Sequence, residues 1–237
     1  MKKSRNILII LSFALLMFNC SLIIPIPKSI ENSFTYCFDG KYTGIDTLIN
    51  IHGFYKETVI YNASLKDTSH QYFMFYDNGI FVWNIRDSYY DEKKKEIVIK
   101  DVELFLKDFA ENNETSCAKS FYLYFWGGYI ICGDTIKMQK MSQGLSLNSG
   151  WHLREEWYKV IDKNTLLFIN SFNLPITEIS QPVIRTNYPI VFCPIQSKPK
   201  QDKSWILKEK WFWCNEKDWE KYMEKLKNEK EKKNEKQ

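Results

Sequence analysis

Of the three histidines in the chain, His152 lies closest to a cluster of charged residues. In an extended strand, His152, Arg154 and Glu156 share one face because successive side chains point to opposite sides. A histidine beside a carboxylate can act as a general acid or base. The same alternation is typical of a charged, solvated strand face, and we expect that role here. His52, directly before Gly53, is expected to be an ordinary polar strand residue.

The motifs of common catalytic and metal sites are absent from the sequence. Gly144-Leu145-Ser146 begins a nucleophile-elbow motif, but Asn148 occupies the place of its second glycine. The sequence has no CxxC pair, no HExxH helix motif and no glycine-rich phosphate loop. We therefore predict no catalytic residue, no metal site and no cofactor.

Aromatic residues are the unusual part of the composition, with 8 Trp, 14 Tyr and 16 Phe. Aromatic faces can receive a lipid, a flat ligand or a sugar ring. The candidate ligand-binding residues are the tryptophans expected on strands, namely Trp83, Trp126, Trp151 and Trp157. Core packing of the same four side chains is the alternative.

The N-terminus has the features of an export signal. Three basic residues precede an apolar run over residues 7–18, and Asn19-Cys20 follows it. The run is shorter than the roughly 20 residues that span a bilayer. The cysteine resembles the lipidated residue of a bacterial lipobox, although Met17 and Asn19 depart from the usual pattern. We predict lipidation of Cys20; a signal anchor and plain cleavage followed by secretion are the alternatives.

Cysteine content is compatible with an oxidising compartment. If Cys20 carries lipid, five cysteines remain and at least one of them is unpaired. The sequence cannot select a pairing among Cys37, Cys117, Cys132, Cys193 and Cys214. Burial of some of them as small hydrophobic residues is the alternative.

The body of the chain consists of short strand patterns separated by turn residues. The pattern predicts a hairpin over 71–76 and 80–85, joined at Asp77-Asn78-Gly79. It predicts further hairpins that turn at Gly133-Asp134 and at residues 162–164. Residues 102–109 fit a short amphipathic helix. After residue 171 repeated prolines predict edge strands or covering loops, with 190–193 and 205–207 as edge candidates.

The C-terminal region predicts a helix that begins after Asn215. Trp219, Tyr222, Met223 and Leu226 form one apolar stripe at helical spacing. Beyond Leu226 the chain has no apolar residue, so we expect fraying or disorder over 227–237.

Sequential hairpins of this length must curl to protect their edges. The predicted fold class is therefore mainly β, an antiparallel meander curled into a lipocalin-like barrel with a C-terminal α-helix. The predicted boundaries are a signal peptide over 1–19, a tether over 20–45, a barrel domain over 46–214, and a helix with a charged tail over 215–237.

A resemblance to a known group supports this fold. Residues 126–137, Trp-Gly-Gly-Tyr-Ile-Ile-Cys-Gly-Asp-Thr-Ile-Lys, resemble a turn pattern of lipoproteins from Bacteroidota-type bacteria, and the segments 77–79 and 157–166 fit the same pattern. The resemblance covers residues 49–171 and implies a small lipocalin-like barrel in a group with no assigned function. Its motifs are turn and packing signals, so it transfers no ligand-binding residue.

Three function hypotheses follow. The first is a lipid-anchored, non-catalytic barrel of the bacterial cell envelope, on the periplasmic or surface side of the outer membrane, that binds an apolar ligand or a protein partner. The second is a carbohydrate-binding or structural component of an outer-membrane system, and the third is a hydrolase. We predict no nucleic-acid partner, since the net charge of +4 falls close to zero once residues 1–19, with three bases and no acid, are removed.

Overall fold

The computed structural model describes residues 25–62, 67–85, 88–91, 96–99, 101–111, 125–143, 150–174, 188–202 and 204–234. The predicted signal peptide, Cys20 and Cys117 lie outside the described residues. The strands are β1 (Gly53–Asn62), β2 (Asp67–Phe75), β3 (Ile80–Trp83), β4 (Ser88–Asp91), β5 (Glu96–Ile99), β6 (Phe125–Cys132), β7 (Thr135–Gln143), β8 (Trp151–Asp162), β9 (Thr165–Leu174) and β10 (Ile190–Pro194). The helices are α1 (Lys28–Ser33), α2 (Ile45–Leu48), α3 (Val102–Glu111) and α4 (Glu216–Asn234), with two 3₁₀ helices at Trp205–Lys208 and Lys210–Phe212.

Eight of these strands form a closed antiparallel barrel, which confirms the predicted fold class. The order around the barrel is β1, β2, β3, β6, β7, β8, β9 and β10, so the barrel strands follow one another in the chain. β4 and β5 pair with each other in a separate two-stranded sheet between β3 and α3. All strand pairs around the barrel are antiparallel, as expected for an up-and-down meander.

β10 closes the barrel, whereas the sequence predicted an edge strand there. Ile190 pairs with Leu166 of β9, and Gly53 of β1 pairs with Pro194. The prolines that suggested an edge lie outside the strand interior, since Pro194 is its last residue. Proline lacks an N–H, and at a strand end this removes no ladder bond that the closure needs.

The three predicted hairpins are confirmed. β2 and β3 join at Asp77–Gly79, β6 and β7 at Gly133-Asp134, and β8 and β9 at Lys163-Asn164. Gly79 and Gly133 have positive φ angles of 91° and 63°, which glycine adopts without steric cost. The turn chemistry therefore fixed the strand order of the barrel locally.

The barrel interior is formed by alternate residues of all eight strands. Its buried hydrophobic cluster contains Tyr55, Phe73, Phe75, Phe81, Tyr129, Ile136, Met138, Tyr158, Leu166 and Ile190. Aromatic rings dominate this cluster, and neighbouring rings such as Phe75 and Tyr129 meet edge to face at 5.3 Å. Part of the aromatic excess in the composition is therefore interior packing.

A second hydrophobic cluster covers the outer face of one half of the barrel. Outward residues of β2, β3 and β6, such as Met74, Val82 and Trp126, pack beneath the N-terminal segment, α3 and the 3₁₀ helices. The segments 72–75, 80–83 and 125–129 are consequently buried or half-buried on both faces, which explains why they are almost entirely apolar. Helix α3 buries Val102, Phe105, Leu106 and Phe109, as its spacing predicted.

The N-terminal segment belongs to the folded body from α1 onward, although the sequence suggested a tether up to residue 45. Phe34 and Phe38 are buried against Trp211 and Phe212. Phe38 also forms a parallel bridge with Trp213, next to a disulfide between Cys37 and Cys214. Phe34, Tyr36 and Phe38 recur at a spacing of two and pack on the same hydrophobic cluster.

The C-terminal helix α4 begins as predicted, since the Asn215 side chain accepts a hydrogen bond from the Lys217 backbone N–H at 2.9 Å. The helix continues to Asn234, so the expectation of disorder directly after Leu226 was wrong. Residues 205–207 form a 3₁₀ helix and not the predicted edge strand. Trp219 and Tyr222 tether α4 to this region by donating hydrogen bonds to the carbonyls of Lys208 and Asp202.

Candidate ligand site at the loop end of the barrel

The barrel has two different ends. The turn end carries the three tight hairpin turns, and the loop end carries the connections β1–β2, β3–β6, β7–β8 and β9–β10. The segment around α2 closes the turn end, where Ile45 and Ile49 are fully buried in the interior cluster. Backbone hydrogen bonds from Thr43 to Asp77 and from Asn50 to Lys163 hold this segment against two of the turns.

Tyrosine hydroxyl groups complete the turn end. Tyr55 donates to the carbonyls of Asn50 and Lys163, and Tyr129 donates to the carbonyl of Tyr76. Burial raises the pKa of both tyrosines, so they stay protonated donors. Aromatic rings and hydrogen-bonded hydroxyl groups occupy this half of the interior.

Toward the loop end the interior becomes polar. Glu57, Lys140, Glu156 and Ser171 are all buried there. They occupy the next interior-facing positions along strands whose interior residues toward the turn end are apolar. Glu57 follows Tyr55, and Lys140 follows Met138, each at a spacing of two. The polar layer is thus a continuation of the interior face and not a surface patch.

An ion pair forms the centre of the polar layer. Lys140 donates from Nζ to Oε2 of Glu156 at 2.7 Å, and the two side chains are 4% and 0% exposed. Tyr158 donates its hydroxyl to the same carboxylate oxygen at 2.7 Å. The Lys140 ammonium also lies 3.3 Å from the centroid of the Trp83 ring, a cation–π contact. The ammonium is therefore held between a carboxylate and an indole face.

On the loop-end side of this pair, the side chains of β8 that share its face are partly or fully exposed to solvent. The Arg154 side chain is 35% exposed, and its Nη1 lies 3.9 Å from Oε1 of Glu156. Arg154 also donates from Nε to Oδ1 of the exposed Asn173 at 3.3 Å. His152, two residues further toward the loop end, is exposed. These three side chains lie on the loop-end side of the ion pair, and we call them the rim.

Two buried polar atoms of the interior lack a hydrogen-bond partner among the described residues: Oε1 of Gln71 and Nε1 of Trp83. Both residues face the interior, because Gln71 pairs with Glu57 and Trp83 pairs with Phe73. A buried polar atom without a partner is costly in a folded protein. The polar layer therefore offers one acceptor and one donor to a bound molecule.

The structure separates the four tryptophans that the sequence singled out. Trp83 alone lies in the interior, while Trp126, Trp151 and Trp157 point to the outer face. Trp126 is fully buried and stacks on Tyr76, with ring centroids 5.8 Å apart. Trp151 packs against Trp205 at 6.2 Å. The four residues are therefore not brought together in one site.

Trp157 lies on the outer face of β8. Its indole N–H donates to Glu155, the Lys137 ammonium lies 4.0 Å from its ring centroid, and Phe172 meets it edge to face at 5.3 Å. The ring planes of Trp157 and Phe172 are inclined by 62°, so they do not form the coplanar row typical of a sugar-stacking surface. The contacts of Trp157 and Phe172 are therefore those of side chains packed on the outer surface of the barrel.

His152, Arg154 and Glu156 do share one face, and that face is the barrel interior. Arg154 contacts Glu156, whereas His152 makes no hydrogen bond to a carboxylate within the described part of the chain. Among the described residues, no group of three His, Cys, Asp or Glu side chains is placed to hold a metal ion. Arg154 and Glu156 are thus in contact, whereas His152 only shares their face among the described residues.

Sequence reasoning missed Glu57, Gln71, Lys140, Ser171 and Asn173 as site residues. The sequence contained part of the necessary information. Glu57 and Lys140 are charged residues at interior-facing positions of strands that are otherwise apolar on that face. Recognising it required the strand register, since a shift by one residue would turn the same charges to solvent.

Comparison with known proteins gave no relative: the chain matches no protein-family model, no curated protein and no solved structure. Within the described ranges, no helix is both long and apolar enough to cross a membrane.

Proposed function

We propose that the protein is an exported, lipid-anchored and non-catalytic binding module of the bacterial cell envelope, and that its ligand enters the loop end of the barrel. One observation carries the proposal. The Lys140–Glu156 ion pair is buried inside the barrel directly beneath a solvent-exposed rim of Arg154, Asn173 and His152.

The energetic cost of this arrangement supports a binding role. Removing two charges from water is expensive, and well-packed apolar residues of similar volume often give equal or greater stability. The turn-end half of the same barrel is filled by apolar residues, among them Phe75, Phe81 and Ile136. In the loop-end half, by contrast, charged groups lie next to the rim. A polar binding site needs such groups to orient its ligand.

The contents of the barrel argue against a purely apolar ligand. The aromatic residues of the interior are closely packed on one another, as in the contact of Phe73 with Phe75 at 5.6 Å. The layer that faces the opening contains Glu57, Lys140 and Glu156. A hydrocarbon chain placed there would leave Gln71 Oε1 and Trp83 Nε1 without a hydrogen bond.

Two features support a location in the cell envelope. The basic and apolar N-terminus that ends at Cys20 has the pattern of an export signal. The Cys37–Cys214 bond links residues 177 positions apart, and such structural disulfides persist in oxidising compartments such as the periplasm. In this proposal, lipid on Cys20 holds the barrel at the membrane surface.

A protein partner is a second candidate, favoured by the outer face of β8, β9 and β10. Ile161, Ile169 and Val191 on these strands are each about half exposed, whereas the outer face of β2, β3 and β6 is covered by the chain itself. Contiguous exposed apolar residues commonly mark interaction surfaces. This candidate places the contact outside the barrel, so a test at the rim distinguishes the two.

The test is native mass spectrometry of the protein extracted in mild detergent from its own membrane. We compare the wild type with Asn173→Trp, which places a bulky ring at the rim, and with Lys159→Trp, which places the same ring on the outer face of β8. Lys159 is 53% exposed, so the control substitution is tolerated. We expect a bound small molecule in the wild type and in Lys159→Trp, and a loss of at least tenfold in occupancy in Asn173→Trp.

Absence of any bound small molecule from the wild type would contradict the proposal. Equal occupancy in all three proteins would also contradict it, because the molecule would then be bound elsewhere.

A further inference from the structure

We propose that the loop-end site takes a neutral ligand rich in hydroxyl groups, of the saccharide class. This inference rests on the proposed function, since it requires that the loop end of the barrel binds a small molecule.

The charge balance of the polar layer favours an uncharged ligand. Among the described residues, two carboxylates, Glu57 and Glu156, and two cations, Lys140 and Arg154, face this part of the interior, and the formal charges of these four cancel. The Lys140 ammonium already contacts both a carboxylate and an aromatic ring. An ionic ligand would compete with these contacts and leave one buried charge uncompensated, which is strongly unfavourable.

The two atoms without partners favour a ligand that both donates and accepts hydrogen bonds. Trp83 Nε1 can only donate, and Gln71 Oε1 can only accept. Because Phe73 pairs with Trp83 and lies two residues from Gln71, the two side chains are diagonal neighbours on one face, about 7–8 Å apart at the backbone.

A molecule with several hydroxyl groups can satisfy both atoms at once. A carboxylate or phosphate offers only acceptors and would oppose Gln71 Oε1. A hydrocarbon chain satisfies neither atom.

Aromatic rings beside these atoms supply an apolar wall. Phe125 lies 5.7 Å from Trp83 with the ring planes inclined by 37°, and both rings belong to the interior side of their strands. Sugar rings combine a polar edge with an apolar face, and a pocket with a few polar atoms next to aromatic rings matches that combination.

The experiment measures binding of four probes by saturation-transfer NMR and titration calorimetry. The neutral probes are glucose and N-acetylglucosamine, the charged probe is glucuronate, and the apolar probe is palmitate. We test them against the wild type, Trp83→Phe, Gln71→Met and Trp157→Phe.

Trp83→Phe keeps an aromatic ring and removes the N–H, and Trp157→Phe makes the same change on the outer face. We expect a neutral sugar to bind most tightly to the wild type. Loss of one hydrogen bond in Trp83→Phe or Gln71→Met weakens that binding roughly 3- to 10-fold. Trp157→Phe is expected to bind like the wild type.

Preferred binding of glucuronate or palmitate would overturn the ligand class and leave the proposed function standing, provided that Asn173→Trp blocks it. Neutral-sugar binding that is equally sensitive to Trp157→Phe would also overturn it, since the sugar would then occupy the outer face. The elemental formula of the molecule that co-purifies with the wild type tests the ligand class independently. A neutral polyhydroxyl compound supports the inference, and a fatty acid or an anion overturns it. If nothing co-purifies and no probe binds, the proposed function itself fails.

Discussion

Lys140 and Glu156 form a diagonal ion pair inside the barrel. Lys140 pairs in register with Arg154, and Met138 pairs with Glu156, so the two charges reach across one step of the β7–β8 ladder. The distance between Nζ and Oε2 is 2.7 Å. The pair lies between the aromatic interior on its turn-end side and the rim on its loop-end side.

Replacing one member of this pair is expected to destabilise the protein strongly. Lys140→Met removes the ammonium that donates to Oε2 of the fully buried Glu156 carboxylate. Because removing one partner of a buried ion pair is strongly destabilising, we expect a loss of about 3–5 kcal/mol in the free energy of unfolding. Urea unfolding at pH 7 measures it.

The double variant Lys140→Met with Glu156→Met is the matched control. It removes both charges together, and we expect it to be more stable than either single variant. Strictly additive losses would show that the two side chains do not stabilise each other.

Much of the fold could be predicted from the sequence, because the strongest signals were local. Asp77-Asn78-Gly79 and Gly133-Asp134 set two hairpins, and successive hairpins can only form a meander. The spacing of Val102, Phe105 and Phe109 likewise predicted a helix that the structure contains. Closure by β10 was not predictable, since it depends on pairing with β1, far away in the chain.

The candidate site was harder to predict for the same reason. His152, Arg154 and Glu156 share a face by local alternation, and the sequence predicted that. Whether that face is the interior depends on which side of the sheet curls inward, and this is set by contacts among all eight strands. The sequence therefore indicated a solvated face at residues that lie inside the barrel.

The Cys37–Cys214 disulfide is expected to contribute substantially to stability. It fastens the N-terminal segment to the residue before the N-cap of α4, across a loop of 177 residues. We expect Cys37→Ser with Cys214→Ser to lose about 2–5 kcal/mol. Guanidinium unfolding under non-reducing conditions measures the loss. Cys132→Ser, at an exposed and unpaired cysteine, is the control and should unfold like the wild type.

Gly128 is required for close contact between β6 and the N-terminal segment. A Cβ atom at this position would lie 2.4 Å from the backbone oxygen of Tyr36, which cannot move independently of its segment. We expect Gly128→Ala to lose about 1–3 kcal/mol by overpacking. In Gly150→Ala, the control, the new atom meets nothing within 4 Å. Thermal unfolding of both proteins measures the difference, and equal melting temperatures would contradict the contact.

Lys198 is expected to make stability depend on alkaline pH. Its ammonium donates to the carbonyls of Ile51 and Phe75, and burial lowers its pKa to about 8, below the value of about 10.4 in an unfolded chain. Between these two values the unfolded state binds more protons than the folded state, so the free energy of unfolding rises with pH. Below pH 8 both states are protonated and this contribution is constant.

Urea unfolding between pH 7 and pH 10.5 tests this expectation against Lys198→Met. The substitution keeps an unbranched apolar side chain and removes the titrating amine, while all other titrating groups stay in place. The rise attributed to Lys198 is the difference between the two stability curves, and we expect it to be positive above pH 8. Parallel curves would show that the Lys198 amine has the same pKa in both states.

The proposed lipid anchor on Cys20 can be tested by metabolic labelling. An alkynyl palmitate analogue is expected to mark the wild type and leave Cys20→Ala unmarked, because Cys20 is the residue on which the lipid is proposed. Membrane fractionation separates the two alternatives. A signal anchor would leave both proteins unlabelled and in the membrane fraction, and simple cleavage would leave both unlabelled and soluble. Equal labelling of both proteins would place the lipid on another residue and remove the anchor from the position that the proposed function needs.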